Sequence, residues 1–308
     1  MVLPYFLVPA LLPPVIVVIL VGALLTAGLL GTDRTGLHRG ALAARWAGCL
    51  AVGVALAAIA TFGVNAGPAS GPLAYGAIAV LAPAAAGIVL ILAITLGELT
   101  LPATPGDVRR ASLHRRTLGD LMPRAAVALT LAALTALLAL TLLTTLSSAP
   151  DRRSYSMPLL YANGAVGESA RGPYPGLHYT LPLWISLLML LGAAAIALRV
   201  ILQRRPSSDA EDILLRRRSS TSVLGAIVLV AGMCLPSLGG PALLGAGTTP
   251  PGAVSLTPQI DTTVQIVSGA AIVLGLAALP VGLVMVVFPE VLARRQVTGR
   301  GARLEVHA

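Results

Sequence analysis

The side chains of this chain that could do chemistry are few, and most of them stand alone. Among 308 residues there are four histidines, His38, His114, His178 and His307, and none is spaced with a second His or a Cys as a metal pair requires. Both cysteines, Cys49 and Cys234, fall inside apolar stretches, where a thiol acts as a small packing group. The sequence contains no P-loop, no H-E-x-x-H and no G-x-S-x-G. No catalytic residue, cofactor or metal is therefore expected.

Two constellations remain. One is the polar stretch from Ser147 to Thr180, which holds Asp151, Arg152, Arg153 and four of the six tyrosines. Within it Glu168, Arg171, Tyr174, His178 and Tyr179 combine charge with aromatic surface. That mixture suits contact with a ligand or a neighbouring protein, and it equally suits a girdle lying at headgroup level. A lipid-modifying enzyme would have to draw its acid, base and anion-binding groups from this stretch. The other constellation is arginine: 21 basic residues, every one Arg. Arg109, Arg110, Arg115 and Arg116 form one cluster, and Arg216, Arg217 and Arg218 form a second. Each basic group near an anionic leaflet contributes about 1 kcal/mol of attraction, so lipid contact is the plain reading. A partner-docking role is the sharper one, since Val108, Ala111, Leu118 and Met122 would share a face of an interfacial helix. Nucleic acid is not expected as a partner, because no folded module presents these arginines.

The elements that must position these groups are apolar helices. The chain is 56% hydrophobic and 11% charged, against about 25% charged for soluble domains. A spanning helix needs roughly 20 apolar residues, and seven segments qualify: 3–30, 42–62, 73–96, 125–146, 181–202, 222–238 and 263–287. The reading is an all-α polytopic protein, one bundle over 1–289. An extracellular loop covers 147–180, and a basic cytoplasmic tail covers 290–308. Eighteen arginines fall on one side of these spans, and only Arg152, Arg153 and Arg171 fall on the other. Loops kept in the cytoplasm carry the excess of Arg and Lys, which predicts an outside N-terminus and an inside C-terminus. The N-terminal stretch lacks a basic n-region and is read as a retained first span.

Finer signals sit on this frame. Pro236, Gly239, Gly240 and Pro241 predict an early end to the sixth span, with irregular or re-entrant chain to about 258. Ala271 with Gly275, and Ala278 with Gly282, form small-xxx-small pairs that let helices approach closely. A weak likeness between the loops around Arg115 and Arg217 suggests either a duplication or parallel selection for charge. The spans are nearly free of ionisable groups, which counts against ion-coupled transport through them. Glu98, Asp261 and Glu290 fall at span ends.

The stretch GELTLPATPGDVRRASLHRRTLGDLMP and the later GPYPGLHYTLP resemble phrases in multi-pass membrane proteins of actinomycetes that have no assigned function. That resemblance implies the class and no site. The preferred expectation is a non-enzymatic accessory or assembly subunit of a complex in the bacterial plasma membrane. It would contact anionic lipid and either a membrane-protein partner or a second copy. A permease subunit for an uncharged or amphipathic substrate, built on proline-broken helices, is the alternative. A lipid-modifying enzyme ranks third.

Overall fold

The computed structural model describes residues 77–99, 122–203, 209–247 and 252–289. The expected spans 3–30 and 42–62, the tail 290–308 and the cluster Arg109, Arg110, Arg115 and Arg116 lie outside the described residues. Among the described residues, five helices are long and apolar enough to cross a membrane. They are α1 (Ala77–Leu99), α2 (Arg124–Leu146), α3 (Leu177–Gln203), α4 (Asp209–Gly247) and α5 (Pro258–Val287).

Ala- and Leu-rich composition makes these segments strong helix formers, and their ends are marked by local chemistry. Pro123 precedes α2 in an extended conformation, and α2 closes where the Ser147 amide and hydroxyl both donate to the Leu143 carbonyl. Pro258 occupies the first turn of α5, where its missing N–H costs nothing. Thr130, Thr141, Thr144 and Thr145 return their hydroxyls to carbonyls of α2 itself. A threonine can then sit on an apolar helix without an unsatisfied group. Across α2 and α3, Thr145 meets the Thr180 hydroxyl at 2.8 Å, and Trp184 Nε1 donates to Thr141 at 3.1 Å.

Helix α4 is the axis of the bundle. All four other helices pack on it, and 83% of its spanning window is buried against 28% for α3. The interface of α4 with α5 rests on small residues at seven-residue spacing. Gly225, Gly232 and Gly239 of α4 run antiparallel to Ser268, Gly275 and Gly282 of α5. A Cβ on Gly282 would lie 2.6 Å from the Leu229 nitrogen, and one on Gly239 would lie 2.9 Å from the Ser268 carbonyl oxygen. The backbones themselves are in contact, so dispersion and close packing hold the pair where lipid offers no hydrophobic drive. A seven-residue period keeps such a seam facing its partner along a left-handed crossing.

The expected early end of the sixth span is corrected. Helix α4 continues through Pro236 and Pro241 to Gly247. Proline at 236 leaves the Gly232 carbonyl without its helical donor, and that oxygen faces the bare backbone of Gly275, where a Cβ would stand 3.1 Å away. The neighbouring helix thus shelters the defect, as happens for prolines in packed membrane helices. At 39 residues α4 is about 58 Å long, well beyond the roughly 30 Å of a hydrocarbon layer.

The described residues are mostly helical, but the all-α expectation is corrected in one place: the 147–180 stretch contains a β-hairpin. Strands β1 (Tyr155–Tyr161) and β2 (Val166–Arg171) form an antiparallel hairpin. Strand β3 (Ala253–Ser255), from the connection between α4 and α5, pairs on the other side of β1, giving the order β2-β1-β3. Tyr155, Met157 and Leu159 alternate inward along β1 and pack on Tyr174, Ala242, Ala246 and Val264. That period of two is what a half-buried strand requires. The sheet gathers the C-terminal ends of α2 and α4 with the N-terminal ends of α3 and α5. The opposite ends meet around Glu98, Arg216 and Ser222.

Candidate functional site

At the sheet end, the polar chemistry is organised by two carboxylates. Asp151 begins the turn that leads into β1. Its Oδ1 accepts from the Arg153 and Ser154 amides at 3.1 and 3.0 Å, and Oδ2 accepts from the Ser154 hydroxyl at 2.8 Å. The slight burial of Asp151 raises its pKa, but the bonds from Arg153 and Ser154 and the Arg153 charge outweigh it and hold the carboxyl below its ordinary 3.8. Arg152 adopts a left-handed φ of 60° in this turn, and its carbonyl accepts from the His178 amide at 3.1 Å. The Arg153 carbonyl accepts from the Tyr174 amide at 2.8 Å. Gly176 is required where it stands, since a Cβ there would lie 2.5 Å from the Arg152 carbonyl oxygen.

The second carboxylate, Asp261, sits in the first turn of α5, where the helix N-terminus favours negative charge. Only 4% of it is exposed. Tyr155 donates its hydroxyl to Oδ1 at 2.5 Å, and Ser255 donates its own to Oδ2. A strand from each of two connections thus converges on one acid. Burial pushes the Tyr155 phenol well above its usual pKa, and the hydrogen bond to Asp261 and that group's charge add to the effect. The Tyr155 ring lies 5.0 Å from that of Tyr174. Tyr174 is fully buried, and burial raises it to about 12 despite the opposing bond with the Ser147 hydroxyl at 2.6 Å. Beside Asp261 an open, shallow depression is lined by Ala246, Ala253, Pro258, Ser255, Thr262 and Gln265, among others. Gln265 anchors its amide on the Ala246 carbonyl at 2.8 Å.

At the opposite end of the bundle, Arg216 is fully buried. It donates through Nη1 to the carbonyls of Ile201 at 2.6 Å and Leu202 at 2.7 Å. These belong to the last turn of α3, where carbonyls lack helical donors and a cation is favoured. Arg218 is buried as well and Arg217 is half-buried. Glu98, at the end of α1, is 4% exposed and accepts from the Ser219 hydroxyl. Ser222 donates to the Arg218 carbonyl at 3.1 Å and the Val286 carbonyl at 3.3 Å.

The structure thus divides the residues singled out in the sequence. Tyr174 and Tyr179 are buried, and His178 packs edge-on to Tyr179 at 4.9 Å. Glu168 is exposed on the outer face of β2, where Ser156 donates to it, and Arg171 pairs in register with Tyr155. Of these five side chains, Tyr174 and Tyr179 are therefore packed inside while Glu168 is exposed. Sequence reasoning missed the grouping of Tyr155, Ser255 and Asp261. Its one visible signal was an acid in the first turn of an apolar helix, which reads equally as an interface marker. Comparison with family models, curated proteins and solved structures gave no match.

Proposed function

We propose that this chain is a non-enzymatic integral membrane protein of the bacterial plasma membrane that acts by assembly, as an accessory subunit of a membrane complex. The observation that carries this reading is how the buried ionisable groups are used. Asp261 is bound by Tyr155 and Ser255, Glu98 by Ser219, and Arg216 by the end of α3. Buried charges are stable only when paired or hydrogen-bonded, and here each one holds two elements together. Side chains committed in this way fix a scaffold.

The same reading takes the sheet end as extracytoplasmic and the Arg216 end as cytoplasmic. With the segments 3–30 and 42–62 it makes seven spans, the N-terminus outside and the C-terminus inside. Alternating helix directions between the two ends support this order, and so does the balance of three Arg against three acids at the sheet end. The continuity of α4 through its prolines weakens the permease alternative, which drew on broken helices. Purification in mild detergent, with identification of co-isolated proteins, tests the proposal. Stoichiometric recovery of one membrane partner is expected. Repeated recovery as a lone monomer would overturn it.

A further inference from the structure

We infer that the free edge of β2 is a self-pairing surface, to which a second copy of this chain adds its own β2 in antiparallel fashion. The ladder shows which groups are open. The Tyr161 amide donates to the Ala165 carbonyl at 2.9 Å and closes the hairpin. Hydrogen-bonded pairs alternate along an antiparallel ladder. With the observed register, Gly167, Ser169 and Arg171 therefore turn their backbone groups toward β1. Val166, Glu168 and Ala170 turn theirs away, and their side chains are exposed. β2 is an outer strand in the order β2-β1-β3, and among the described residues no hydrogen bond reaches the N–H or C=O of those three. Such an edge is a template for another strand. On the other side β3 offers only three residues, and Ser255 among them is committed to Asp261.

The side chains of β2 select its own copy as the occupant. A two-fold axis perpendicular to the sheet keeps both inner faces on one side, so both bundles enter the same bilayer in the same direction. The axis sets one residue opposite its own counterpart, and that choice fixes the register. Centred on Glu168, it opposes two carboxylates, which is unfavourable. Centred on Ser169, it sets Glu168 of each copy against Ala170 of the other, and both residues carry outward backbone groups to exchange. The two Ser169 side chains then meet in a non-hydrogen-bonded pair, where hydroxyls bond across strands. Arg171 comes opposite Gly167 of the second copy. The Tyr161 ring covers that glycine, since a Cβ there would lie 2.8 Å from Tyr161 Cε2. Half-buried Arg171 thus reaches an aromatic ring of the other copy, a cation–π contact made in both directions. This contact does not depend on the accessory role, which concerns a different protein.

Single cysteines are placed in the full chain carrying Cys49→Ser and Cys234→Ala, and membranes are oxidised with copper phenanthroline. Directly opposed residues of a non-hydrogen-bonded pair lie about 4.5 Å apart at Cα, within the roughly 4.4–6.8 Å that a disulfide spans. Ser169→Cys should therefore give a reductant-sensitive band at twice the chain mass, and Val166→Cys and Asn163→Cys should not. Ala170→Pro removes an outward N–H and no bond to β1, so the hairpin is kept. In detergent it should raise the dimer dissociation constant, read by sedimentation, at least about tenfold. Arg171→Ala leaves the ladder intact and should also weaken the dimer, so it decides the matter if circular dichroism shows the proline variant misfolded. A chain that stays monomeric at every concentration would overturn the inference. So would equal cross-linking at Val166→Cys, a cross-link at Glu168→Cys in place of Ser169→Cys, capture of a different protein at Ser169→Cys, or a dimer unchanged in both edge variants. Co-isolation of another protein bears on the accessory role alone, so the two readings fail separately.

Discussion

Replacing Gly282 with alanine puts a methyl carbon 2.6 Å from the Leu229 nitrogen and 2.9 Å from its Cα. Both are backbone atoms of α4 and cannot turn aside as a side chain would. Ordinary contact begins near 3.4 Å, so α4 and α5 must separate by about 0.8 Å at this level. Overpacking of this kind costs about 1–3 kcal/mol. Alanine returns up to about 1 kcal/mol through its better helix propensity, leaving a net loss of up to about 2 kcal/mol. Gly240 and Gly192 supply the controls, because nothing lies within 4 Å of a Cβ at either position. Alanine there should be neutral or stabilising. Gly275→Ala should resemble Gly282→Ala, its Cβ standing 2.5 Å from Pro236 Cδ. The double variant should lose less than the sum, since one separation of the helices relieves both contacts. Reversible unfolding in mixed micelles, followed by helical circular dichroism, measures each difference. Equal stability of the Gly282 and Gly240 variants would refute the claim that backbone contact sets the α4–α5 spacing.

Other expectations follow from single groups. Arg216→Met leaves the Ile201 and Leu202 carbonyls without their donor, a loss of about 1–3 kcal/mol. Amide exchange in the last turn of α3 should quicken, and Arg216→Lys should recover part of the protection. Tyr155 and Tyr174 are both raised above their ordinary 10.0, so the folded state holds these protons more tightly than the unfolded state does. Their contribution is complete below pH 10 and fades as pH climbs toward 12 and beyond, which a thermal melt series at alkaline pH would record. Asp151 has the opposite sign. Its stabilisation of the turn is present above 3.8 and disappears as pH falls through its lower folded value. Asp151→Asn should abolish that acid-range dependence in amide exchange at Ser154.

The helices were legible because length and hydropathy declare a span without reference to neighbours. Arg124–Leu146 starts within one residue of its expected boundary and ends on it. The extent of α4 was not legible, since Pro236 and Pro241 break a helix in isolation, and the facing Gly275 that shelters the Pro236 defect is visible only in the packed structure. Gly225, Gly232 and Gly239 do carry a seven-residue period that a search for four-residue spacing passes over. Strand β1 hid for a different reason. Pro158 argues against a strand, yet here it tolerates a ladder completed by β3, a segment about a hundred residues away. The Asp261 cluster depends on that same long-range pairing. Arg216 read as a surface charge because burial of an arginine cannot be inferred until its acceptors, the carbonyls ending α3, are placed beside it.

The three-stranded sheet also sets an order of events. Strand β1 enters with the connection between α2 and α3, but β3 follows only after α4 has been threaded. Until then β1 has a naked edge, and Tyr155 waits for an acid not yet delivered. Exposed edges invite pairing with foreign strands, so a chain interrupted before Asp261 would carry an unfinished cap. Closure by Ser255 and Asp261 therefore requires the chain to extend through α4 and into the first turn of α5.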